Sequence, residues 1–134
     1  MNALKSWQRK NWFGQLVYHG DQRKTDSSDI PRLYVLVRAD VLPPIHQGIQ
    51  AAHACILLAA MMNVNPNTYL ILLKANMEEM VLCAESAKKK KYAMYVDQGL
   101  VDPVTMMPLM SAMAFEPMSL AEGNKLFGHL RRSE

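Results

Sequence analysis

The sequence predicts an α/β fold. The expected architecture is a single domain of order β-α-β-α-β-β-α, with a mixed, mostly parallel four-stranded sheet and helices on both faces. Three observations carry that expectation. Apolar runs of strand length alternate with segments of helical period, the pattern of a largely parallel sheet. The first run, from Leu33 to Val37, is continuous rather than alternating, as in a strand covered on both faces. Half of the 134 residues are hydrophobic, enough for one sizeable core, and the chain is too short for two.

Residues 1–32 read as an N-terminal extension and residues 33–134 as the domain. The extension is polar and irregular, with Trp7, Trp12 and Phe13 as its large anchors and residues 21–29 as a solvated loop or linker. The first strand runs from Leu33 to Arg38 and on to Asp40, and Pro43-Pro44 breaks it. The first helix spans about Ile45 to Met62. At about 100° per residue, His46, Gln50 and His53 fall on one face of it, a polar stripe on an otherwise apolar helix. Asn63 to Asn67 forms a turn with Pro66, and the second strand covers Thr68 to Lys74. Asn76 with Glu79 makes a capping box for a helix from Met77 to about Lys90, and the run Lys88–Lys91 would complement its dipole. The third strand, Tyr92 to Val96, ends in Asp97-Gln98-Gly99. A loop with Pro103 and Pro108 leads to the fourth strand, Leu109 to Phe115. The shortness of that loop admits one antiparallel pair. Ser119 and Glu122 cap a last helix reaching about Leu130.

Composition narrows the function classes. The apolar run Ala51–Met62 is shorter than the roughly 20 residues of a membrane span and is interrupted by His53. Lys5, Arg9 and Lys10 are followed by no apolar stretch, so no signal peptide and no membrane association are expected. The first twenty residues lack acids, which favours a basic arm or a packed extension over a transit peptide. Cys55 and Cys83 fit no metal-ligand spacing and read as buried thiols in a reducing, cytoplasmic compartment. A net charge of +3 permits a polyanionic partner without demanding one.

In open sheets, ligands bind beyond the carboxyl ends of the parallel strands. The first and third strands end at Asp40 and Asp97, and the first helix starts at the same edge. Asp40, His46, Gln50, His53 and Asp97 are therefore expected to gather there. Each has a plainer reading. Asp97 before a glycine suits an Asx turn, His53 suits a satisfied core histidine, His46 a neighbour of the helix start, and Asp40 a partner for a Lys or Arg. Two histidines at i, i+7 lack the i, i+4 clamp of a helical metal site, so no metal is assigned.

From Leu33 onward the chain resembles the type 2 peptidyl-tRNA hydrolases. The resemblance rests on Arg38-Ala39-Asp40 at the end of the first strand, Gln50-Ala51-Ala52-His53-Ala54 in the first helix and Asp97-Gln98-Gly99 after the third strand. Pro117 after the fourth strand and Gly128-His129-Leu130 at the end of the last helix complete it. It implies hydrolysis, without metal or organic cofactor, of the ester joining a peptide to the terminal ribose of tRNA. It also implies peptidyl-tRNA as partner and a homodimer, which the apolar content allows. The roles implied are Asp97, His46, Ser111 and His53 in catalysis, with Asp40, Gln50 and Arg38 in substrate binding. Such chemistry needs an activated water and donors for the oxyanion. Two positions depart from the family pattern. His46 stands where the family has a Lys, and Val101 where it has a Thr; the family's second Thr falls on Ser111. The departures point to the alternative expectation, a catalytically impaired relative acting as an RNA-binding or protein-interaction module.

Overall fold

The computed structural model describes residues 30–132, together with two short strands, β1 (Arg9–Lys10) and β2 (Leu16–Val17), that pair antiparallel. The anchors Trp7, Trp12 and Phe13 and the polar segment 21–29 lie outside the described residues. Ile30 and Arg32 are already buried against the sheet's core.

β3 (Arg32–Arg38) is buried at all seven positions, as its unbroken apolar run requires. After it come α1 (Pro44–Met61), β4 (Tyr69–Ala75), α2 (Met77–Ser86), β5 (Tyr92–Val101), β6 (Pro108–Phe115), α3 (Leu120–Phe127) and the two-residue β7 (Arg131–Arg132). The strand order is β5-β6-β3-β4-β7. β4 pairs with β3 in parallel, while β6 is antiparallel to both β3 and β5. Thus β3, β4 and β5 point the same way, yet one pair alone among these four strands is parallel. The expectation of a mostly parallel sheet is corrected in this respect. The six residues between β5 and β6 are too few for a crossover, so the two form a hairpin, and the hairpin inserts β6 beside β3. β7 was not foreseen; two residues carry no periodicity to read.

Successive side chains of a strand point to opposite faces, and β3 divides its own between two cores. Tyr34 and Leu36 join Met80 and Cys83 of α2 and Phe127 of α3. Leu33, Val35 and Val37 join Ala51, Ala54 and Leu58 of α1. The small residues Ala93, Ala112 and Ala114 floor that second core and let α1 approach the sheet closely.

Both sequence-read capping boxes form. Asn76 and Ser119 accept from the N–H groups of Glu79 and Glu122, and each glutamate reaches back to its cap. α2 stops at Ser86, short of the expected Lys90, so Lys88–Lys90 lie in the turn after the helix and not in its last turn. Lys90 instead bonds Glu122 at 2.7 Å, tying that turn to the start of α3.

Gly123 sits inside α3, where glycine is a poor helix former. Packing explains it, because a Cβ there would fall on the phenol ring of buried Tyr34. Gly123→Ala is therefore expected to destabilise the domain by about 1–3 kcal/mol despite alanine's better propensity. A rise in the thermal midpoint would contradict this close contact.

Candidate active site at the break in the β5–β6 ladder

Two irregularities of the β5–β6 ladder build the site. Tyr95 pairs with Ala112 but Val96 with Met110, leaving Ser111 as one extra residue on β6. A bulge of this kind re-aims a side chain. Ala112 lies in the α1-side core, and Ser111 next to it also turns towards α1 instead of alternating away. The second irregularity follows at once. Asp97 pairs with Leu109 and Val101 with Pro108, so Gln98, Gly99 and Leu100 leave the ladder directly after Asp97.

The two distortions meet at Gln50. Ser111, fully buried, donates its hydroxyl to Gln50 Oε1 at 2.5 Å, and Gln50 Nε2 donates to Asp97 Oδ2 at 2.9 Å. A carboxylate only accepts, so the amide must face it with its nitrogen, and the Ser111 hydroxyl holds it that way round. Gly99 N–H donates to the other oxygen, Asp97 Oδ1, at 2.8 Å. The Asx-turn reading of Asp97 is thus realised together with the bond to α1. These bonds hold the Asp97 carboxyl below its ordinary range: the Gln50 amide first, then the Gly99 N–H, with the nearby His53 charge adding to them. Partial desolvation opposes the shift and is outweighed. His53 is exposed and stacks on Tyr95, rings 4.6 Å apart and 7° from coplanar. Tyr95 and Asp97 share a strand face at i, i+2, which is how the helix histidine comes to sit beside the carboxylate.

Not every expected residue joins this cluster. His46 is exposed on the first turn of α1 and makes none of these contacts. Asp40 is held by Arg38, which donates Nε and Nη2 to its two oxygens at 2.9 and 3.0 Å. Arg38 also donates Nη1 to Asp102 Oδ2 at 2.7 Å. Both Arg38 and Asp102 are 1% exposed. This fork raises the already high guanidinium pKa further, through Asp40 first, and the Arg38 bond lowers the Asp102 carboxyl. The network fastens the end of β3 to the β5–β6 loop, and Asp102 orders that loop by accepting from Val104 N–H. Asp102 was missed by sequence reasoning. Its signal was Asp-Pro at a loop start together with a strand-end arginine in need of a second carboxylate.

Beside Asp40 lies a polar cavity of about 300 Å³ at the ends of the parallel pair β3 and β4. Asp40, Gln47, Lys74, Asn76, Glu79 and His129 line it. Gln47, also missed, is buried and donates to the carbonyl of Leu42, fixing the turn into α1. Cys83 is buried and its thiol is pushed up to about 11, mainly by desolvation, whereas Cys55 is half-buried and shifts in the same direction. Among the described residues no group of three or more His, Cys, Asp or Glu is placed to hold a metal ion, and no helix is long and apolar enough to cross a membrane.

No family model matches the chain, and no curated protein matches its sequence. In structure it is similar to Atu0240, a protein of unknown function from Agrobacterium tumefaciens strain C58, with a TM-score of 0.56 and 9% sequence identity. The similarity covers 78% of this chain and 98% of that one. At that identity the likeness is one of fold.

Proposed function

We propose that this chain hydrolyses the ester of peptidyl-tRNA. The observation that carries the reading is the Asp97 carboxylate. It stands where the β5–β6 ladder breaks, ionised, with both oxygens anchored and His53 beside it. An anchored carboxylate of lowered pKa is a weak base but a good acceptor with a fixed direction, suited to orienting a water on an ester carbonyl. The water's oxygen bonds the acyl carbon, the bond to the ribose oxygen breaks, and a proton ends on that oxygen. His53, stacked on Tyr95, is an imidazole beside this path. His46, at the mouth of the same edge, takes the place of the family's lysine beside the tRNA end. The cavity beside Asp40 offers the Lys74 ammonium for a phosphate, and its Asp40 and Glu79 carboxylates offer acceptors for a hydroxyl.

Arg38 and Ser111 act in this reading as positioning residues. Arg38 is buried and spent on two carboxylates, and Ser111 acts through Gln50. Ser111→Ala is expected to lower kcat about 5–20-fold with KM nearly unchanged, as for a lost buried hydrogen bond that orients a catalytic group. An NMR titration of Asp97 in the same variant should show its pKa rising towards the ordinary carboxylate value. A variant with full turnover and an unmoved titration would remove Ser111 from the mechanism.

The direct test is release of a labelled N-acetylaminoacyl group from tRNA by purified protein, with and without chelator. Release that survives the chelator supports the reading. A second reading rests on Val101, which is exposed and has no hydroxyl where the resemblance asks for one. Salt-dependent tRNA binding without release would favour that alternative, an RNA-binding relative that has lost turnover.

A further inference from the structure

The sheet ends at β5, which pairs with β6 along one side; among the described residues no strand pairs with its other side. Natural edge strands are commonly blunted by charge, proline or brevity. From Tyr92 to Val96 this one has no charged residue and no proline, and Met94 and Val96 are half-exposed. The Ser111 hydroxyl lies 3.4 Å from the carbonyl oxygen of Tyr95, so that carbonyl faces β6. Main-chain groups of successive residues point to alternate edges, which leaves the N–H and C=O groups of Met94 and Val96 facing outward. The open edge runs directly to Asp97.

We propose that this edge takes the peptide part of the substrate as an added strand, parallel to β5, and so delivers its terminal ester beside Asp97. The inference rests on the reading of the chain as a peptidyl-tRNA hydrolase. The direction follows from covalent chemistry. The ester is at the carboxyl end of the peptide, and Asp97 follows Val96 on the carboxyl side of the Tyr92–Val96 edge, so the two chains must run the same way. Pairing by main-chain hydrogen bonds is indifferent to side chains, as an enzyme for peptides of any sequence requires. Tyr92 to Val96 extends for roughly 17 Å, room for about five residues of added strand.

The test uses the wild-type protein and N-acetylated oligoalanyl-tRNA esters of one to seven residues. kcat/KM is expected to climb about 10–100-fold with length and to level off near five or six residues, as several modest main-chain bonds accumulate. N-methylation of single peptide amides should cost about tenfold at every second residue and little at the residues between, the two-residue period of a strand. With a peptide joined to adenosine by an amide in place of the ester, amide exchange at Met94 and Val96 should slow. Hydrolysis of the one-residue substrate with no dependence on length or N-methylation overturns the inference and leaves the enzymatic reading standing. No hydrolysis of any substrate overturns both. A dimer in sedimentation with Met94 and Val96 already protected in the free protein assigns the edge to a second copy and overturns the inference as well.

Discussion

Asp97→Ala should reduce hydrolysis of N-acetylaminoacyl-tRNA by about 10²–10⁴-fold, the range for loss of a group that positions or activates the attacking water. The fold should survive, because Asp97 is half-exposed and its loss frees the Gln50 amide to bond water. Circular dichroism and tRNA affinity are expected to stay close to wild type, so the loss should appear in kcat. Asp97→Asn separates charge from shape. Its single amide oxygen can accept from the Gly99 N–H or from the Gln50 amide but not from both, and it should lie nearer the alanine variant than wild type. The pH profile carries the same signature. The folded pKa of Asp97 is lowered, so its ionised form is present throughout neutral and mildly acidic solution and is lost only below the ordinary carboxylate range. Gln50→Leu, which removes the largest cause of the lowering, should move that acid limb to higher pH. If Asp97→Ala retained full turnover, the site would have to be sought elsewhere on the domain.

Arg38→Ala is expected to destabilise the domain by about 3–5 kcal/mol, because it leaves two carboxylates facing each other with one of them buried and unpaired. That is a large fraction of the 5–15 kcal/mol available to a domain of ordinary stability. Urea denaturation would read it as a fall in midpoint at an unchanged slope. Arg38→Lys should rescue little, since one ammonium cannot serve the forked geometry that spans Asp40 and Asp102. Acid should act on the same tie. The Asp102 carboxyl is lowered in the folded state, so its contribution is complete above the ordinary carboxylate pKa and fades as pH falls through the lowered value. A variant as stable as wild type would show that the fork is dispensable.

What the sequence made legible was local. The unbroken apolar run of β3, the helical period of α1 and the two capping boxes at Asn76 and Ser119 are each written within a few residues, and each formed as read. The bond between Gln50 and Asp97 was approached through topology, since a strand end and a helix start at one edge must meet. The bond from Ser111 to Gln50 needs a bulge, and a single inserted residue leaves no trace in an apolar strand such as Leu109–Phe115. The partnership of Arg38 with Asp102 spans 64 positions, and no periodicity registers it. The strand order was half-read. The short β5–β6 loop admitted an antiparallel pair, while nothing local says that β6 inserts beside β3.

That insertion has a consequence for how the chain is made. Synthesis runs from the amino end, so β3, α1 and β4 are all made before Pro108–Phe115 exists. Until β6 arrives, β3, buried at all seven positions in the finished fold, has one unpaired edge and an unfinished core on the α1 side, because Ala112 and Ala114 are still missing. The hairpin must then dock as a unit into a waiting slot, a late, non-local step of the kind that slows folding and exposes nascent chains to aggregation. A chain halted after residue 107 should therefore be collected by chaperones or precipitate, whereas a chain that also carries β6 and α3 closes the sheet in one cooperative step.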